Sequence, residues 1–142
     1  MDKEKESGIK KKIIEEMTID YSNALEKNFD LAKQFIRITK DGKVDIPSKD
    51  KLVGTEQISL YLIGKLYAKE AGFIATNEVG TKELLEELGV PEGSLYPWLK
   101  ELYDAKKIKR VKKGRSAYYI ISVNLVEKSL KDIENKIIKK TG

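Results

Sequence analysis

Residues 81–121 have the sequence TKELLEELGVPEGSLYPWLKELYDAKKIKRVKKGRSAYYII, and this stretch decides the fold. Leucines three and four residues apart predict a short amphipathic helix with Thr81 as its N-cap. Gly89 predicts the end of that helix, because glycine adopts a left-handed backbone without a Cβ penalty, and Pro91 cannot continue it. A second helix is predicted over about residues 94–106. The order is that of a helix-turn-helix.

The second helix has a clear apolar face. Leu95, Leu99 and Leu102 share one stripe at helical spacing, which predicts that they are buried. Pro97 is expected in the first turn, where its missing N–H is tolerated. The opposite face is predicted to hold Ser94, Pro97, Lys100, Glu101 and Asp104.

A basic hairpin follows the second helix. The ten residues KKIKRVKKGR hold seven cations and no acid. A turn at Lys113-Gly114, between a string with apolar residues and the β-branched and aromatic residues 117–121, predicts a β-hairpin wing over about residues 107–121. The cations could simply keep an edge strand soluble. We favour a polyanionic partner, because seven like charges on ten residues repel one another unless such a partner relieves them.

The string GSLYPWLKELYDAKKIKRVKKGRSAYYI resembles the recognition helix and wing of PadR-like winged-helix transcriptional regulators. Their pattern is roughly G-[ST]-L-Y-P-x-L-x-x-L, then six residues, then a hairpin that ends in a Tyr-Tyr-like strand. Lys106 stands where that family usually has a small residue or glycine. The resemblance covers about thirty residues and implies a homodimeric DNA-binding regulator. The matching positions are Gly93, Ser94, Leu95, Tyr96, Pro97, Leu99, Leu102, Ile108 and Tyr118-Tyr119.

Composition excludes several kinds of chemistry. The 142 residues include no cysteine and no histidine, so disulfides, thiolate metal sites and imidazole catalysis are excluded. The sequence has no nucleophile elbow, metal-ligand cluster or phosphate-binding loop. We therefore predict that the protein is not an enzyme and has no catalytic residue, metal site or cofactor.

Hydropathy and lysine content predict the environment. No apolar run reaches the roughly eighteen residues of a membrane helix, and the N-terminal MDKEKESGIKKK lacks the hydrophobic stretch of a secretory signal. We expect a cytoplasmic protein without a membrane partner. Abundant lysine and glutamate with few thermolabile residues predict a thermophilic source.

Charge is segregated along the chain. Residues 1–50 carry eleven cations and eleven acids, residues 51–92 carry four and seven, and residues 93–142 carry thirteen and five. The positive charge is therefore concentrated on the second helix, the wing and the C-terminal segment, where a nucleic-acid-binding protein would place it.

The whole chain is predicted to be mainly α with a small β-sheet. A winged helix-turn-helix domain is expected over residues 51–122, with its first helix from near Thr55 and a short strand near Glu78-Val79. Residues 1–50 are predicted to form an amphipathic helix of about twenty residues and a β-hairpin around Asp41-Gly42. Residues 123–142 are predicted to form a C-terminal amphipathic helix.

The two terminal segments have two possible partners. An isolated helix of this length is marginal in water, so each needs an apolar surface. Val126, Leu130, Ile133 and Ile137 form a short seam in the C-terminal helix. Either this helix and the N-terminal helix pack on their own domain, or they form a homodimer, which would make residues 1–50 a dimerisation segment.

Our leading hypothesis is sequence-specific binding to double-stranded DNA by a homodimeric transcriptional regulator. The recognition helix would enter the major groove, and the wing would contact the backbone. The sequence identifies neither an operator nor a small-molecule effector, and it does not separate DNA from RNA. The predicted DNA-binding residues are Ser94, Tyr96, Pro97, Lys100 and Glu101 on the helix and Lys107, Lys109, Arg110, Lys112, Lys113 and Arg115 on the wing.

The alternative is a protein-protein interaction module. Winged helices also serve as rigid docking units, and Tyr96, Trp98 and Tyr103 would then be the aromatic anchors. We favour DNA, since a docking module has no need of seven cations on its hairpin.

Overall fold

The computed structural model describes residues 8–18 and 23–141. The chain is mainly helical with small antiparallel sheets and with helices at both ends, as the sequence predicts. The helices are α1 (residues 8–17, π-helical at Ile13–Met17), α2 (Ala24–Lys27), α3 (Phe29–Lys33), α4 (Gly54–Glu70), α5 (Thr81–Leu88), α6 (Glu92–Asp104) and α7 (Val126–Thr141). The strands are β1 (Arg37–Ile38), β2 (Val44–Asp45), β3 (Val79–Gly80), β4 (Lys109–Lys113) and β5 (Ser116–Ile120), and 3-10 turns lie at Lys49–Lys51 and Val123–Leu125.

Helix α4 is the centre of the core. Ile58, Leu60, Leu62 and Ile63 are fully buried although they point in different directions around the helix. A helix that is apolar on all sides must be covered on all sides. The covering elements are α5, α6 and α7 together with β1 and β2.

The helix-turn-helix is present, and both helix starts differ from the prediction. Gly80, and not Thr81, is the N-cap of α5, whereas Gly89 ends α5 with a φ of 64° as predicted. Helix α6 begins at Glu92 and not near residue 94. The reason is that Pro91, with φ −67° and ψ 148°, forms the N-cap and its carbonyl accepts the first hydrogen bonds of the helix.

This earlier start changes the positions of two predicted site residues. Pro97 lies inside α6, in its second turn, and Ser94 is the third helical residue. Pro97 has no N–H for the carbonyl of Gly93, so one hydrogen bond of the helix is missing. Gly93 is exposed, and water can therefore satisfy that carbonyl.

Helix α6 also ends two residues earlier than predicted, because the backbone turns left-handed. Lys106 has a φ of 60°. The N–H of Lys107 donates to the carbonyl of Leu102 at 2.9 Å, and the N–H of Lys106 donates to the carbonyl of Tyr103 at 3.0 Å. These bonds close a Schellman motif, whose left-handed position usually holds glycine. A residue with a Cβ costs about 1–2 kcal/mol there, so Lys106 is strained.

The three-stranded sheet has the order β3-β5-β4, all antiparallel. Val79 pairs with Tyr119, so the short strand predicted near Glu78-Val79 is confirmed one residue later. Lys113 pairs with Ser116, which places the turn of the wing at residues 114–115 and not at Lys113-Gly114. Because β5 is the central strand, β4 lies at an edge of the sheet.

The predicted N-terminal helix of about twenty residues is wrong in its extent. The described chain contains the separate helices α1, α2 and α3, and residues 19–22 lie outside the described residues. Asn28 separates α2 from α3 and its Nδ2 donates to the carbonyl of Ala24 at 2.8 Å. The backbone N–H of Asn28 donates to the same carbonyl at 3.1 Å, and Asn28 departs from helical geometry with φ −101° and ψ 12°.

The predicted hairpin at Asp41-Gly42 is confirmed. Ile38 pairs with Val44, and Gly42 takes a φ of 85° in the turn. The hairpin packs closely on α4, since a Cβ added to Gly64 would lie 2.5 Å from Val44 Cγ1. Phe35, Ile36 and Ile46 are buried in the same core as the winged helix-turn-helix.

The C-terminal helix packs on its own chain. Val126, Leu130 and Ile133 are buried in the common core, against α4 and α2. Of the two partners that the sequence allows for this seam, the structure shows the intramolecular one. None of the helices described here is long and apolar enough to cross a bilayer.

Candidate nucleic-acid interface

Helix α6 exposes most of the residues predicted to recognise DNA. Tyr96, Pro97, Lys100 and Glu101 are exposed, while Ser94 is half-buried. The three leucines of the predicted stripe are buried, which fixes the outward direction of the remaining side chains.

The outer face of α6 is more acidic than basic. Lys100 Nζ lies 2.8 Å from Asp104 Oδ2, one turn along the helix. This hydrogen bond and ion pair raise the pKa of Lys100. Glu92 and Glu101 are exposed on the same helix, with no cation of the described residues within 4.0 Å. The lone lysine of this face is thus already engaged by a carboxylate.

The wing carries a contrasting excess of positive charge. We call its seven exposed cations, from Lys106 to Arg115, the wing cations. Among the described side chains, no carboxylate lies within 4.0 Å of six of them. These six are Lys106, Lys107, Lys109, Arg110, Lys112 and Arg115.

Lys113 is the wing cation that has a carboxylate partner. Its Nζ lies 2.5 Å from Glu78 Oε2, just before β3, and 5.7 Å from the centroid of the Tyr118 ring. The hydrogen bond and the charge of Glu78 raise the pKa of Lys113. Lys113 therefore ties β4 across the sheet to the segment before β3.

A second contact ties the wing to α6. The guanidinium of Arg110 lies 5.0 Å from the centroid of the Tyr103 ring. The pleat of β4 places Arg110 and Lys112 on the face that carries Tyr119 and Ala117, their partners on β5. The side chain of Arg110 is thus on the face of the sheet that is turned toward α6.

A groove of about 640 Å³ joins the three elements. Lys82 from the first turn of α5, Tyr96 from α6 and Arg115 from the wing turn line it, together with the α5 carboxylates Glu83 and Glu86. The start of α5, the exposed face of α6 and the tip of the wing therefore lie on one side of the molecule.

A buried charge cluster holds α5 in place. Lys65 on α4 is 5% exposed, and its Nζ lies 2.9 Å from Glu83 Oε2 and donates to the carbonyl of Gly42 at 2.8 Å. The hydroxyl of Tyr61 donates to the same Glu83 oxygen. Burial alone would raise the pKa of Glu83, but the hydrogen bonds from Tyr61 and Lys65 and the charges of Lys65 and Lys43 hold it below its ordinary value. The cluster links α4, α5 and the N-terminal hairpin.

Trp98 does not share a surface with the two exposed tyrosines of α6. Tyr96 and Tyr103 are 47% and 43% exposed. Trp98 packs against the core at the start of α4, where a Cβ on Gly54 would lie 2.2 Å from Trp98 Cδ2. The predicted three-residue aromatic anchor is therefore divided between two faces of the helix.

Sequence reasoning missed the contacts that restrain the cations. Glu78 was predicted only as part of a strand, and Arg110 only as a backbone contact. The pairing of Lys100 with Asp104 is within reach of sequence reasoning, since residues four apart on a helix are neighbours. The other two contacts depend on tertiary structure.

Comparisons with known proteins add no assignment. No protein-family model matches the chain, and no curated protein or solved structure matches it significantly.

Proposed function

We propose that this protein binds double-stranded DNA as a homodimer in the cytoplasm and regulates transcription. The observation that carries the proposal is the wing, where six exposed cations lack a carboxylate partner among the described side chains. Like charges concentrated on one hairpin repel one another, which costs free energy unless a polyanion neutralises them. Phosphates of duplex DNA, spaced at about 1.7 Å of helix axis per charge, supply that neutralisation.

The wing and helix α6 would make different contacts with DNA. The wing cations would contact phosphates and set orientation, while the exposed face of α6 would approach base edges in the major groove. Lys100 could reach guanine only after leaving Asp104, and Glu101 could accept a hydrogen bond from cytosine. The acidic face of α6 limits affinity for random duplex, because each carboxylate is repelled by phosphate unless a base donor pairs with it.

Selection from a random duplex pool tests this proposal. Wild-type protein should enrich one sequence, and Lys100→Ala should lose about 1–3 kcal/mol of affinity for that sequence and little for random duplex. Equal weakening on every sequence would make Lys100 a phosphate contact. Failure of the wild type to bind any duplex would contradict the proposal.

A protein-docking function is the second candidate, and the acidic, tyrosine-bearing face of α6 favours it. Tyr96 and Tyr103 lie seven residues apart along one edge of the exposed side of α6, which also carries Glu101 and Asp104. A basic protein surface would complement that face. If duplex binding fails, loss of a protein partner in Tyr96→Ala with the fold retained would support docking.

A further inference from the structure

Helix α1 presents an apolar face that the described residues of its own chain leave uncovered. Every residue from 8 to 18 is exposed. Ile9, Ile13 and Met17 recur every four residues and are 58%, 45% and 79% exposed, with Ile14 beside them at 55%. A helix of ten residues is marginal in water unless an apolar surface covers such a face.

A groove of about 840 Å³ is equally uncovered. We call it the α2–α3 groove, because these helices form one wall and the end of α4 forms the other. Phe29, 50% exposed, meets Tyr67 edge to face at 6.5 Å between centroids. The Tyr67 hydroxyl donates to the carbonyl of Leu25 at 2.7 Å, and burial raises the pKa of that hydroxyl to about 12. The apolar lining is completed by Ala32, Ile36, Ile38 and Ala71.

We propose that α1 of one copy of the protein docks in the α2–α3 groove of a second copy, and that the exchange is reciprocal. The proposal rests on the homodimer part of the proposed function and not on DNA binding. Anchors spaced four residues apart on one helical face are the usual ligand of such a groove. A two-fold arrangement makes the contact twice, because each copy supplies one helix and one groove.

Charge favours a second copy over the chain's own α1. Helices joined by a connection as short as residues 18–23 usually pack antiparallel, so an α1 folded back on its own chain would run antiparallel to α2 and α3. That direction would bring Glu16 beside Glu26, and Lys10 and Lys12, near the start of α1, beside Lys33. A helix from another copy can run the opposite way, which pairs Lys10 and Lys12 with Glu26 and Glu16 with Lys33. Lys33 can exchange its present partner Asp30 for Glu16 of another copy. The Lys33–Asp30 pair is weak, because it is 3.9 Å long and its side chains are 57% and 94% exposed.

The test compares solution masses by sedimentation equilibrium at micromolar concentration. Wild type should have twice the chain mass of 16.2 kDa. Ile13→Glu on the helix and Phe29→Glu in the groove should each have the mass of one chain. Both side chains are exposed, so circular dichroism should lose no more than the helical signal of the ten-residue α1, which is marginal without its cover. Lys11→Glu is the matched control: it places the same carboxylate on the opposite face of α1 and should leave the dimer intact.

Mixing the two variants tests reciprocity. An equimolar mixture of Ile13→Glu and Phe29→Glu should form heterodimers that dissociate more readily than wild type, because one intact helix and one intact groove remain. No association in the mixture would overturn the exchange. If wild type is dimeric and both variants stay dimeric, this inference fails while the homodimer stands. If wild type is monomeric, the homodimer fails as well, and duplex binding by the monomer would show separately whether the DNA proposal survives.

Discussion

The guanidinium of Arg110 on the wing lies 5.0 Å above the ring of Tyr103 on α6. This contact fixes the basic hairpin relative to the helix that would approach the base edges. Tyr103→Ala should lower the free energy of unfolding by about 0.5–1 kcal/mol, the usual worth of an exposed cation–π pair. Tyr103→Phe keeps the ring and should change little. Urea unfolding measures both, and an equal loss in the two variants would mean that the hydroxyl, and not the ring, matters.

Lys106→Gly should stabilise the protein. Lys106 is strained at a φ of 60°, and glycine removes up to about 1–2 kcal/mol of that cost. Lys106→Ala removes the same charge but keeps the Cβ, so it should give no gain. Thermal unfolding of the two variants separates backbone strain from charge. A gain of the same size in Lys106→Ala would assign the effect to relief of repulsion among the wing cations.

The ion pair between buried Lys65 and half-buried Glu83 predicts an acid-sensitive stability. Glu83→Gln should cost about 1–3 kcal/mol at neutral pH, because it leaves the buried Lys65 without its carboxylate. Glu87→Gln is the control. Its pair with Lys43, at 3.7 Å, is partly exposed and should be worth at most about 1 kcal/mol.

The pH dependence of this difference has a definite sign. The pKa of Glu83 is held below its ordinary 4.5 in the folded protein, so its contribution is complete above 4.5 and is lost as the pH falls through the folded value. The stability gap between wild type and Glu83→Gln should therefore be constant near neutral pH and shrink below about pH 4.5. A gap that persists at pH 2 would contradict this origin.

The packing of α6 on α4 can be tested at a glycine. Gly54→Ala should destabilise the protein by about 1–3 kcal/mol, since its Cβ would lie within 2.2 Å of Trp98. Gly93→Ala is the matched control in the first turn of α6, where no atom lies within 4 Å of the added Cβ. It should gain about 0.5–1 kcal/mol from helix propensity. Equal effects of the two changes would contradict the close approach of Trp98 to α4.

Sequence periodicity predicted the helix-turn-helix and the hairpins, because their signals are local. The leucine stripe of α6, the left-handed Gly89 and the turn glycine Gly42 each depend on neighbours within a few residues. The break at Asn28 was missed, since the apolar pattern around it stays helical and only the backbone angles of Asn28 depart from a helix. The partners of the C-terminal seam and of Lys113 depend on tertiary packing, which local spacing does not contain.

The salt dependence of duplex binding tests the central claim most directly. The logarithm of the binding constant for random duplex should fall linearly with the logarithm of salt concentration, by about 0.9 per phosphate neutralised. Replacing Lys109, Lys112 and Arg115 together by alanine should flatten the slope by about two to three. Lys113→Ala should flatten it by less than Lys112→Ala, because Glu78 already pairs with Lys113. An unchanged slope in the triple variant would show that the wing does not bind DNA.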